Sequence, residues 1–398
     1  MNTKNDNRRY DLDWLRVLAI LAIFVFHSTR LYDTDDWSIK NLTTYPPMDV
    51  WKTFAMSWGM PLILIVSGAS AFLALSKVSL GKYLKGLFVR LLVPLLVGMF
   101  THIAFQVYLE ALDKGNFSGS FWSFYPHYFE GMYGFGGNFA WMGLHLWYLE
   151  ILFVLSLLLL PLFAWLKKTS SGKWVLKALG DWLAKPGAAY FLALPAILLI
   201  NVLDQATWGN RDLGGWSIMI YPFFFISGFV IISSEALQAR IQQMRWLSLG
   251  LGLILTPIFL FLEYQTRYPS LIPLGGKPND TLLCLVTWSW LLAVLGFGMK
   301  HLTFTTPYLK YANEAALPFY ILHQTVIVSL GYFVVRWAIP DGLKFITILL
   351  ASFTLVLVLY EYLVRRSNLL RFLFGMKPLP RRAAAVALDR KTSLTAQP

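Results

Sequence analysis

The chain has 398 residues, of which 57% are hydrophobic, 16% aromatic and only 14% charged, against about 25% charged in an ordinary soluble domain. A mean hydropathy of +0.56, with 16 Trp, 19 Tyr and 30 Phe, excludes a soluble enzyme and fits a polytopic membrane protein with ring residues at the interfaces. The net charge of +13 lies in short clusters between apolar runs, so a nucleic-acid partner is excluded too, and the lone Cys284 excludes an internal disulfide or a cysteine-ligated metal.

A spanning helix needs about 20 mostly apolar residues. Ten stretches meet that need: 12–33, 51–76, 84–109, 144–166, 188–204, 215–234, 246–263, 281–299, 316–338 and 343–364. The first is expected to stay in place, not to be cleaved as a leader, because Arg16 and His27 interrupt it and nine further stretches follow. The fifth is the weakest, being short and holding Pro195.

Placing the N-terminus in the cytoplasm puts 24 of the 34 Lys and Arg on that side and 9 on the other, with Arg16 inside the first span. That bias predicts an all-α, polytopic membrane helix bundle of about ten transmembrane helices, with both termini cytoplasmic, in the inner (cytoplasmic) membrane. Residues 1–365 then form one membrane domain. Residues 366–398 are expected to be a basic cytoplasmic tail without fixed structure, whose Arg366, Arg371, Lys377, Arg381 and Arg382, with Arg365 before them, meet anionic lipid headgroups.

Ionisable groups inside a span usually face the bundle interior and serve a function. Arg16 and His27 are eleven positions apart, which returns them to within about 20° of one helix face and about 16 Å apart along the axis. Asp13, about 60° from Arg16, is placed to pair with it one turn earlier. The pattern predicts a division of labour. Arg16 meets an anionic group near the cytoplasmic surface, and the imidazole of His27, with an ordinary pKa of about 6.5, does proton chemistry in the outer half. Snorkelling of Arg16 and an interhelical hydrogen bond from His27 are the structural alternatives.

At the outer end of the fourth stretch stand His145, Trp147, Tyr148 and Glu150. His145 and Tyr148 share a helix face and can reach a sugar on which Trp147 stacks, or the group is an interfacial belt. Residues 110–143 carry eleven aromatic side chains interleaved with glycines, a stacking platform or an interface anchor. Ser67-Gly68 and Ser227-Gly228 read as small-residue helix contacts. His323 follows Pro318, where a kink releases carbonyls; it orients a substrate, pairs with Glu314 or closes a buried interhelical bond. His102 and His127 have no evident partner. No metal-binding, phosphate-loop or nucleophile-elbow motif occurs, and no metal is expected.

Leu12-Asp13-Trp14-Leu15-Arg16, followed after ten residues by His27, resembles the opening of the acyltransferase-3 family of integral-membrane acyltransferases. Met60-Pro61 leading to Val66-Ser67-Gly68, Arg90-Leu91-Leu92-Val93-Pro94, the run from His145 to Glu150, Asn313-Glu314, Pro318 and Tyr320-Ile321-Leu322-His323 extend the resemblance in order over nearly the whole chain. The Met-Pro…Ser-Gly and His-Leu-Trp runs look most like the family's glucan-modifying branch, which transfers succinyl groups. Leu87 departs from the pattern, standing where a second basic residue often precedes Arg90 by three; Lys85 is nearby.

The resemblance implies an O-acyltransferase that moves an acyl group from a cytoplasmic donor to a hydroxyl of an extracytoplasmic carbohydrate. Acyl-CoA would be the co-substrate, with no bound cofactor. Arg16 and Arg90 would hold the donor, His27 would act as base beside Arg16, and Asp13, Glu314 and His323 would support them. His145, Trp147 and Tyr148 would bind the acceptor. Direct transfer and a covalent acyl-histidine both stay open. So does a second class, a transporter or flippase for an anionic or lipid-linked substrate, which would use the same ionisable residues but show internal repeats, and none is evident.

Overall fold

The computed structural model describes residues 8–204, 206–267 and 278–379. Long runs of Leu, Ile, Phe and Ala that must satisfy their own backbone polar groups become helices. Among the described residues the only strand-like pairings are two isolated bridges, Met132 with Phe139 and Leu213 with Trp216. The main helices are α1 (Tyr10–Thr29), α2 (Pro46–Lys77), α3 (Leu80–Asp113), α4 (Leu144–Leu158), α5 (Leu160–Lys168), α6 (Ser170–Leu183), α7 (Ala188–Val202), α8 (Tyr221–Ser233), α9 (Glu235–Arg267), α10 (Pro278–His301), α11 (Pro307–Val334), α12 (Asp341–Val364) and α13 (Asn368–Leu373).

Seven of these, α1, α2, α3, α9, α10, α11 and α12, are long and apolar enough to cross a membrane. The bent pairs α4–α5, meeting at 48°, and α6–α7, meeting at 118°, raise the number to nine if each is one span. Of the ten expected spans, seven to nine meet this test among the described residues. The stretch that falls short is α8, whose 13 residues are fewer than the roughly 20 of an unassisted span. The connection between the fourth and fifth expected spans, residues 167–187, is largely the helix α6. Thr169 caps it by accepting from the Gly172 N–H at 2.9 Å, and it leaves Lys173, Trp174 and Lys177 exposed.

α1 sits inside the bundle against α2, α10 and α11. A Cβ on Gly298 would stand 3.0 Å from the Leu15 side chain, and Phe24 meets Phe319 edge-on at 5.4 Å. α2 and α8 cross where Gly68 and Gly228 oppose each other's backbone. A Cβ on either would lie 1.9 Å from a carbonyl oxygen, that of Phe225 or of Ile65, so these small residues set the crossing distance.

Contacts sort the loops onto two sides. Arg9 bonds Gln238 at 2.7 Å, the Trp14 indole donates to the Phe304 carbonyl at 3.1 Å, and Arg371 pairs with Glu314 at 2.8 Å. Both ends of the described chain therefore lie on one side, with Arg16. On the His27 side, Lys114 pairs with Asp36 at 2.9 Å and Arg336 with Asp113 at 2.5 Å. Tyr45 donates to Asp341 at 2.7 Å.

The expected tail begins as packed structure. Arg371, on α13, is only 5% exposed and donates to Glu314 at 2.8 Å and to the Lys377 carbonyl at 2.6 Å. These partners offset the desolvation that lipid headgroups would otherwise have spared it. Gly375, at φ +67°, lies against the Arg90 backbone, where a Cβ would be 2.9 Å from the Arg90 carbonyl oxygen. Lys4, Arg381 and Arg382 lie outside the described residues.

Candidate active site

Three helix segments bring three imidazoles together. His27 is in the last turn of α1, His323 lies within α11, and His145 sits in the 3-10 turn that opens α4. Ring centroids are 5.0 Å apart for His27 and His323, 5.1 Å for His145 and His323, and 6.3 Å for His27 and His145. His102 joins them, near enough to act electrostatically on His145 and close to the Ile321 carbonyl. His127 is elsewhere, paired with Glu130 at 2.8 Å.

The hydrogen bonds fix where the protons reside. His323 Nδ1 lies 2.6 Å from the Tyr320 carbonyl, which can only accept, so Nδ1 carries the proton and Nε2 the lone pair. That Nε2 is 3.1 Å from His27 Nδ1, which is also 3.0 Å from the Ile23 carbonyl. His27 therefore donates from Nδ1 to both, leaving Nε2 as its basic nitrogen. His145 Nε2 likewise donates to the Ile321 carbonyl at 3.0 Å, and the Tyr320 hydroxyl donates back to the His145 carbonyl. This reciprocal pair locks α4 to α11. The turn that aims His145 depends on Gly143, at φ +69°, followed by Leu144 at φ +49°, a backbone region that glycine enters without strain and leucine does not.

At the other end of the α1 face, Arg16 donates to Ser70 at 2.9 Å and to Asn313 at 3.1 Å. Asp13 is 3.6 Å away but is held more closely by Arg8, at 2.8 Å. A third of the Arg16 side chain is open, and the charge of Arg90 acts on it at longer range. Arg90 itself is exposed on the π-helical turn Phe88–Leu92, and Lys85 is exposed beside it. Between Arg16 and the imidazoles, Tyr148 and Ser67 share a hydrogen bond of 2.7 Å, and Tyr148 meets Tyr320 edge-on at 6.0 Å. Ser70, Ser67, Tyr148 and Tyr320 thus mark a polar column through an apolar core.

Glu314 is not the partner of His323. Nine helical positions turn it about 180° away and about 13 Å along the axis, where it pairs with Arg371 at 2.8 Å and Arg365 at 3.9 Å.

His27 forms part of the wall of a cavity of about 430 Å³ that Trp37, Trp51, Trp58 and Trp147 also line, with Arg30, Asp35, Lys52, Arg211 and Asp212. The Trp37 ring lies 26° from parallel to the imidazole of His27, at 6.4 Å. Of the residues expected at the acceptor, Trp147 is at the wall, whereas His145 and Tyr148 are buried and bonded to α11 and α2. His145 and Tyr148 both meet Tyr320, at 5.9 and 6.0 Å between ring centroids, and so face protein, whereas Trp147 faces the cavity. The aromatic segment 110–143 packs largely on itself and on α3, with the Tyr125 and Tyr128 hydroxyls donating to Phe100 and Met99 carbonyls at 2.8 Å.

Sequence reasoning missed Trp37, Trp51, Trp58 and Ser70. Trp51 and Trp58 carried a signal, being seven residues apart and so on one face of α2. Trp37 carried none, since the loop between α1 and α2 alone brings it to His27. Among the described residues no group of three His, Cys, Asp or Glu is arranged to hold a metal ion.

A family model described as an acyltransferase domain matches residues 9–361. Glucans biosynthesis protein C of Salmonella heidelberg (strain SL476) is 23% identical over 394 residues, spanning 96% of this chain and 98% of that protein. Its namesake in Salmonella paratyphi B (strain ATCC BAA-1250 / SPB7) is 22% identical over 401 residues, with the same coverage. No solved structure matches significantly. With helices that can cross a membrane throughout and a family match over most of its length, the chain belongs to the acyltransferase-3 family and is a membrane acyltransferase.

Proposed function

We propose that the protein transfers an acyl group from a cytoplasmic acyl-CoA to a hydroxyl of a glucan on the far side of the inner membrane. The observation that carries this reading is the arrangement along α1. Arg16 stands at one end of a polar column, and His27, with Nε2 free to accept a proton, stands at the other, in the wall of a cavity on the opposite side. The relatives' name supplies the acceptor class.

In this mechanism Arg16, with Arg90, meets the anionic part of the donor, whose pantetheine arm follows the column toward the imidazoles. The acceptor hydroxyl enters from the cavity. Its oxygen attacks the thioester carbonyl as His27 Nε2 takes the hydroxyl proton. The carbon–oxygen bond forms, the carbon–sulfur bond breaks, and the imidazolium returns the proton to the departing thiolate. General-base help of this kind is worth about 10²–10⁴ in rate.

Ten spans with both termini cytoplasmic accord with this chemistry. Both ends of the described chain lie on the Arg16 side, which requires an even number of crossings. Seven long helices, two bent pairs and α8 supply ten if α8 crosses with the help of the turn before it. The excess of Lys and Arg on that side supports a cytoplasmic orientation for it.

The test is incubation of purified protein with labelled succinyl-CoA and linear β-glucan. Transfer of label to the glucan is expected from the wild type and not from a folded His27→Ala variant that still binds donor. Transfer by that variant at the wild-type rate, or movement of glycan without acylation, would overturn the reading.

A further inference from the structure

We infer that the tryptophan-walled cavity beside His27 is the acceptor subsite and that it is built for a neutral glycan segment, one bearing no carboxylate or phosphate. The inference rests on the acyl-transfer reading for its chemistry, but its evidence is the wall itself. Four indoles line one cavity of a size that suits a short oligosaccharide, and flat aromatic faces match the C–H faces of pyranose rings. One of them, Trp37, flanks the catalytic imidazole at 6.4 Å, so a sugar stacked there carries a hydroxyl to Nε2.

The cations of the wall are already paired, with carboxylates in the wall or just behind it. Arg30 is bonded to Asp33, and Lys52 is bonded to Asp35 and lies 3.2 Å from Asp49. Arg211 bonds Asp280 at 3.1 Å and the Gly215 carbonyl at 3.1 Å. Among the described residues no cation of the wall is left for an anionic guest, and an added carboxylate would have to displace an existing partner. Neutral hydroxyls make no such demand; they can donate to wall carboxylates such as Asp212, which is exposed. Gly214, at φ +63°, closes the wall, since a Cβ there would stand 2.8 Å from Met60 and 3.0 Å from Trp147.

The experiment compares a neutral β-glucan oligosaccharide with a uronate-bearing oligosaccharide of the same length. It measures both binding to donor-free protein by calorimetry and transfer from labelled succinyl-CoA. Wild-type protein should bind and use the neutral oligosaccharide at least about tenfold better. Trp37→Ala should raise the glucan Kd and KM by about tenfold, the worth of one stacked ring, with acyl-CoA affinity unchanged, and Trp37→Phe should recover most of the loss. Asp212→Lys, which adds a free cation, should shift the preference toward the uronate. Unchanged glucan binding in folded Trp37→Ala protein, or equal binding of the two oligosaccharides by the wild type, would overturn the inference. If the wild type transfers no label, the acyl-transfer reading fails, while the binding titrations still decide whether the cavity is a glycan subsite.

Discussion

An imidazole that donates from one nitrogen is a base at the other, and His323 holds His27 in that state through the 3.1 Å bond to Nδ1. In the proposed mechanism His323 is thus a positioning residue, acting on the proton only through His27. His323→Ala should lower kcat by about tenfold, the worth of one hydrogen bond, with acceptor KM little changed. His323→Gln, whose amide oxygen can still accept from Nδ1, should restore part of the rate. The pH profile of kcat should rise through an acid limb as the imidazole of His27 loses its proton, and the limb should move in His323→Ala, which a merely structural role would not produce. Arg16 and His27 were legible in the sequence because helix geometry alone puts them on one face. The true partner of His323 was not legible, because its bond to His27 joins residues 296 positions apart, and the nearby carboxylate of Glu314 lies on the wrong side of the helix.

Hydropathy made the positions of nearly all the helices legible, since a backbone in lipid has few alternatives. Two elements escaped it. α6 reads as a polar loop by average composition, yet its Thr169 cap and the buried Leu176 and Leu183 among exposed Lys173, Lys177 and Trp182 give it an amphipathic face. α13 escaped because what orders it is distant in sequence, the bond from Arg371 to Glu314 and the seat of Gly375 on Arg90. The segment α13 to Gly375 therefore braces the turn that carries Arg90, which the proposed mechanism uses to hold the donor. Arg371→Ala should cost about 1–3 kcal/mol of stability, less than a fully buried pair because Glu314 is partly open to solvent. It should also weaken acyl-CoA binding, read by thermal unfolding and direct titration. Arg366→Ala, whose side chain only overlies Tyr362 at 4.7 Å, should do neither.

The bundle has one face with Arg16, Arg90 and both ends of the described chain, and another where ion pairs tie the loops over the tryptophan cavity. Thiol labelling of intact cells should therefore reach a cysteine placed at Ser118 from outside but not one at Lys173, both of which are exposed positions. That two-sidedness was visible in the sequence as an asymmetry of Lys and Arg, but the cavity was not, since its wall is assembled from two interhelical loops, α1, α2 and the start of α4. Acyl transfer between the two faces is most directly tested in sealed proteoliposomes that hold β-glucan inside and are given labelled succinyl-CoA only outside. Label should accumulate on the enclosed glucan with wild-type protein and not with His27→Ala. Labelling only when donor and glucan share a compartment would contradict transfer across the bundle.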